Sequence, residues 1–138
     1  MGRVKRFLEL IDLVEGEVRN FRDYKDILDF ILNKLGNDVL VVRIPYRKYD
    51  KYEYHFHYWD VDGLHGRIGR GDKLEGVFDD AFTVSTAKNP RDIDSIAYSI
   101  WWDLKNSGAK LFIGSKRNVR RGKVIPIERF LKNSGESK

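Results

Sequence analysis

The sequence predicts an α+β domain: an antiparallel sheet of about five strands with helices packed on one face. Three observations predict it. Two segments carry apolar residues at three- and four-residue spacing and read as helices. Several short segments are rich in β-branched and aromatic residues, one of them in strict alternation. These strand segments follow one another closely, which favours antiparallel pairing over crossovers. A chain of 138 residues can bury one core, so residues 1–132 read as a single domain and 133–138 as a flexible tail.

The elements are justified in order. Residues 5 to 14, around "RFLELIDL", fit either a short helix or a strand, and Gly16 close behind favours the strand. Residues 21 to 35 are a helix: Phe21, Tyr24, Ile27, Leu28, Ile31, Leu32 and Leu35 line one side, with Asn20 as N-cap and Gly36 as stop. "DVLVVRIPY" (38–46) is a strand, and "RKYDK" turns the chain. Residues 52 to 59 alternate, with Tyr52, Tyr54, Phe56 and Tyr58 on one face and Glu53, His55, His57 and Trp59 on the other. The tyrosines and Phe56 are the better core candidates, which leaves both histidines on the opposite, open face.

Residues 60 to 80 hold Gly63, Gly66, Gly69, Gly71 and Gly76, and read as a mobile loop or a short hairpin. "FTVST" from Phe82 is a strand. "NPRD" opens a second helix, with Asn89 as cap and Pro90 at its first position. That helix runs to about Asn106 and stops at Gly108. "AKLFIG" is a strand, "SKRNVRRGK" a basic loop, and "VIPIERFLKN" packs back onto the domain.

Composition narrows the function. There is no cysteine, so disulfides and thiolate metal sites are excluded. No apolar run is long enough to span a bilayer, and acidic residues interrupt the apolar part of the N-terminus, so no membrane or signal segment is expected and a cytoplasmic location is. The net charge is +5 and the sequence pI about 9.4. Such a balance favours a polyanionic partner.

Three constellations carry chemistry. His55 and His57, two of the three histidines, point the same way from one strand and can reach one divalent ion. Glu53 on the same face, Glu9 on a neighbouring strand, or His65 would complete the set. Equally, the pair are surface residues of a half-exposed strand. On the second helix, Ile93, Ile96, Ala97, Ile100, Trp101 and Leu104 form the apolar stripe, which leaves Tyr98, Trp102 and Lys105 on another side. An accessible phenol and indole can stack on bases, and a phenol beside a metal can attack a phosphate. They can also line an oligomer interface. From Lys110 to Lys123 there is no acid, and Lys116, Arg117, Arg120, Arg121 and Lys123 form either a phosphate-binding patch or a solvated basic loop.

Together these pieces resemble the HUH endonuclease superfamily, in particular rolling-circle replication initiators of plasmids and viruses. "HFH" (55–57) resembles the family's His-hydrophobic-His motif, "DIDSIAYSIWWDLKNSG" its tyrosine helix, and "KLFIGSKRN" the strand and basic segment that follow. The resemblance covers about residues 5 to 120. It implies a ferredoxin-like, HUH-like sheet whose histidines hold Mg²⁺ or Mn²⁺. It also implies a tyrosine that attacks single-stranded DNA and forms a covalent phosphotyrosine. Carried over, His55 and His57 are metal ligands, with Glu9 or Glu53 beside them. Tyr98 is then the nucleophile and Trp102 a stacking residue. The family often has a lysine three or four residues after its tyrosine; here Trp101 and Trp102 stand there, and Lys105 is the substitute. The alternatives are a noncatalytic nucleic-acid-binding domain of the same fold, and a structural or oligomerising protein.

Overall fold

The structure, a computed structural model, describes residues 21–46 and 51–134. Its elements are α1 (Tyr24–Asn33), β1 (Val39–Tyr46), β2 (Lys51–Asp60), β3 (Gly63–Gly71), α2 (Val77–Asp80), β4 (Phe82–Ala87), α3 (Pro90–Asn106), β5 (Lys110–Gly114), α4 (Lys116–Arg120), β6 (Ile125–Pro126) and α5 (Ile127–Ser134). The strands form one sheet in the order β4-β3-β2-β1-β5-β6, and every neighbouring pair is antiparallel. The α+β antiparallel class read from the sequence is the fold. The expected strand at 5–14, with Glu9, the Asn20 cap and most of the 47–51 turn lie outside the described residues.

Local chemistry explains the elements. Helix α1 begins at Tyr24, later than expected, with Asp23 as its cap; the Asp23 side chain accepts from the Lys25 amide. Gly36 past its end sits at φ 58°, a conformation that costs glycine little. Helix α3 starts where "NPRD" predicts, with the Asn89 side chain accepting from the Asp92 amide and Pro90 in the first turn. Asn89→Ala is expected to remove about 1 kcal/mol of stability, read as a Tm lower by roughly 3–5 °C in thermal unfolding.

The glycine-rich stretch is the hairpin alternative: β2 and β3 pair continuously from Tyr52↔Gly71 to Asp60↔Gly63. Its glycines mark close approach rather than mobility. A Cβ on Gly69 would come 2.7 Å from Val77 Cγ1, so α2 can lie on the strand only where the side chain is absent. The basic "loop" contains helix α4, capped by Ser115, whose side chain accepts from the Asn118 amide. Helix α5 runs to Ser134, past the expected domain end at 132.

The sheet is buried on both faces, not one. On the first face Leu40, Val42, Leu64, Leu111 and Ile113 pack with Ile27, Phe30 and Ile31 of α1 and with Ile93, Ala97, Ile100 and Leu104 of α3. On the second, Val39, Val41, Tyr54, Phe56 and Tyr58 pack with Val77 and Phe78 of α2 and Val119 of α4. The short helices were hidden in segments read as loops because four or five residues are too few to display a 3.6-residue period.

Candidate functional site

The alternation in β2 is as the sequence reads it, but its meaning changes. Tyr54, Phe56 and Tyr58 do enter a core, the second one. The histidine face is not open. His57 lies opposite Leu40 and His55 opposite Val42, and both partners belong to the core under α1 and α3. Trp59 packs on that core too, and its Nε1 donates to the Ile31 carbonyl at 3.0 Å. So the expectation that both imidazoles project from an uncovered side is corrected: α1 and α3 lie on that side.

The two histidines differ. His57 is buried, at 9% exposure, and its Nδ1 has no hydrogen-bond partner among the described residues. Burial, with His55 adding repulsion, pulls its pKa down to about 3, so the ring is neutral at ordinary pH. Gly66 sits directly opposite in the hairpin; a Cβ there would come 3.6 Å from His57 Nδ1 and 2.7 Å from Ser85 Oγ. His55 is only partly buried, and its Nε2 stands 2.6 Å from Glu53 Oε2. The other Glu53 oxygen accepts from Arg70 Nη2 at 3.2 Å, which the register explains, since Glu53 faces Arg70 across the hairpin. Burial pushes the Glu53 carboxyl up, but the His55 and Arg70 contacts outweigh it and hold the group below its ordinary value.

From helix α3, Asp103 rather than Tyr98 lies within electrostatic reach of His55 and Glu53. Burial raises the Asp103 carboxyl, with His55 and a Ser107 hydrogen bond opposing and Glu53 adding to the rise; Ser107 Oγ donates at 3.4 Å. Tyr98 is 53% exposed and its ring packs edge-on against Tyr24 of α1, centroids 5.4 Å apart. Five residues separate Tyr98 from Asp103, about 140° around a helix. Asp103 and Tyr98 therefore lie on different sides of α3, and Tyr98 is the one that meets α1. Lys105 sits over the Trp101 ring at 5.4 Å, on α3 itself. Trp102 is exposed. Structure thus joins Glu53 to His55, sets Tyr98 against Tyr24 and Lys105 over Trp101, and leaves Trp102 exposed.

The expected metal set does not converge. His57 is sealed, His55 Nε2 is engaged by Glu53, and Glu9 is outside the described residues. Among the described residues no three side chains of His, Cys, Asp or Glu are grouped to hold a metal ion. As arranged, the described residues do not fit Mg²⁺ or Mn²⁺.

The basic residues assemble on the second face. Lys116 Nζ lies 4.9 Å from the Tyr58 ring centroid. Arg120 Nε donates to Asp79 Oδ1 at 2.9 Å and its guanidinium lies over Phe78. Arg117, Arg121 and Lys123 are exposed. The same face carries a group that the sequence reading missed. The Arg43 guanidinium lies between two rings, 4.6 Å from Tyr52 and 5.0 Å from Phe112, and Phe112 and Val124 pack on the same core cluster. The available signal was an arginine inside an otherwise apolar strand, "LVVRIPY". Trp102 and Tyr98 belong to the helix layer across the sheet, so the basic segment and these aromatics do not form one surface. Among the described residues no helix is long and apolar enough to cross a membrane. Comparison with family models, with curated proteins and with solved structures returns no match.

Proposed function

We propose that the chain is a nucleic-acid-binding domain that holds a single strand non-covalently, on the sheet face carrying α4. One observation carries this reading: Arg117, Arg121 and Lys123 stand exposed on the face where Arg43 lies between Tyr52 and Phe112. Cations that take part in no ion pair among the described residues are available to phosphates, and partly exposed rings on the same face can stack on bases. Net charge +5 adds long-range attraction for a polyanion. A cytoplasmic location, where such a partner is met, is part of the proposal.

The test is affinity for labelled single-stranded DNA and RNA across a salt series. Wild-type binding should weaken linearly in log–log form. Replacing Arg117, Arg121 and Lys123 together by Ala should reduce the slope by about 2, since each phosphate no longer neutralised on a single strand takes away roughly 0.7. Trp102→Ala, across the sheet, should leave affinity unchanged. No salt-dependent binding at low ionic strength would sink the reading.

A second reading, nicking and joining of single-stranded DNA with Mg²⁺ or Mn²⁺, has one observation on its side, the 53% exposure of Tyr98 on α3, and would need His55 to exchange Glu53 for a metal ion. It requires a denaturation-resistant protein–DNA band with Mn²⁺ that Tyr98→Phe abolishes. The first reading expects no such band.

A further inference from the structure

Strand β4 ends the sheet, and among the described residues no strand pairs with its outer side. Edge strands are ordinarily protected by charge, by proline or by brevity, because their free N–H and C=O groups template another strand. Residues Phe82–Ala87, "FTVSTA", contain neither a charge nor a proline. Phe82 is 78% exposed and Val84 56%. These apolar side chains therefore stand beside an edge that no described strand pairs.

We propose that β4 is the seam of a homodimer, pairing antiparallel with β4 of a second copy about a two-fold axis at Val84. The charges flanking the strand select this occupant and this register. Asp80 lies four residues before Val84 and Lys88 four residues after it. An antiparallel pairing centred on Val84 brings Asp80, the last residue of α2, and Lys88 of the other copy to the same end of the seam, twice over by symmetry. Both residues are exposed and neither takes part in an ion pair among the described residues, whereas the adjacent Asp79 is engaged by Arg120. Phe82 of each copy then faces Thr86 of the other across uncharged strands. Val84 is also the residue the bulge leaves without a partner on β3, where Gly66 pairs with Ser85 and Arg67 with Thr83. At the two-fold it meets its own copy. The axis is perpendicular to the sheet, so two six-stranded sheets become one and both α4 faces point the same way. This inference stands on the strand edge and is independent of nucleic-acid binding.

Sedimentation equilibrium of the full chain at micromolar concentration tests it. The wild type should be a dimer. Asp80→Lys should weaken association by about tenfold, because the attractive charge pair at each end of the seam becomes repulsive. Adding Lys88→Asp to that variant should restore it. Val84→Pro should give a monomer whose circular dichroism matches the wild type. A wild type that stays monomeric overturns the proposal. So does a dimer indifferent to Asp80→Lys, or one that the double exchange does not recover; these outcomes do not depend on how Val84→Pro folds.

Discussion

Phe56→Ala is expected to lower the stability of the folded chain by about 3–5 kcal/mol, the usual cost of emptying a large aromatic site in a core. Phe56 is fully buried. Its ring stacks on Tyr54 at 6.3 Å and meets Phe78 of α2 edge-on at 5.1 Å, and across the sheet pair it faces Val41. Removing it leaves a void that a sheet already packed from both sides cannot close. The measurement is the urea midpoint at constant slope. Phe82→Ala is the control: at 78% exposure it should move monomer stability by less than about 0.5 kcal/mol. A loss of under about 1 kcal/mol at Phe56 would mean that the layer carrying α2 and α4 is not a core. The substitution should also weaken nucleic-acid binding indirectly, because α4 rests on that layer through Val119.

Acid should destabilise the fold well before most carboxylates titrate, and His57 is the reason. Unfolded, the ring takes a proton near 6.5; folded, it resists until about 3. Below pH 6.5 the unfolded chain therefore binds more protons, so stability is full above that pH and falls as pH drops toward 3. The loss between pH 7 and pH 4 is roughly 3 kcal/mol, from about 1.36 kcal/mol per pH unit over the interval below 6.5. Glu53 acts in the same sense below its ordinary range, since its folded pKa is lowered. Asp103, whose folded pKa is raised, acts oppositely. Between pH 6.5 and about 5 the histidine dominates. His57→Leu should flatten the profile there, and at pH 7 it should be no less stable than wild type, because it removes a buried Nδ1 that has no partner among the described residues. Urea denaturation at several pH values reads both. An unchanged slope in His57→Leu would mean that the wild-type ring is reached by water.

Much of the sheet was legible in the residues. The alternation of 52–59 determined which side chains share a face of β2, and each face holds the set expected. The cap and proline at 89–90 located the start of α3. Strand β3 was harder to read. Its apolar positions Leu64 and Ile68 are separated by Gly66, so alternation fades where close packing against His57 and Ser85 requires no side chain. Helix α4 was too short for its period to show, and its charges suggested a loop.

The candidate site was legible only as a list of residue types. Spacing placed His55 and His57 on one face of a strand and put Tyr98 off the apolar stripe of α3, and both statements hold. Spacing within an element says nothing about what another element lays against it. The crossing of α1 and α3 over the sheet buried His57, brought Asp103 within electrostatic reach of His55 and sent Tyr98 toward Tyr24. The hairpin register brought Arg70 to Glu53 from seventeen residues away.

By itself, then, the amino-acid order determined the class of fold, the two faces of β2, the caps of α3 and a surplus of positive charge. Those properties depend on neighbours within a turn or a strand, where side-chain direction follows from backbone period alone. Only the tertiary structure decided that both faces of the sheet are covered, that the imidazoles and the phenol meet different partners, and that α4 with its cations packs on the face that carries Arg43. Those outcomes depend on how separate elements pack, and packing is set by contacts between residues far apart in the chain.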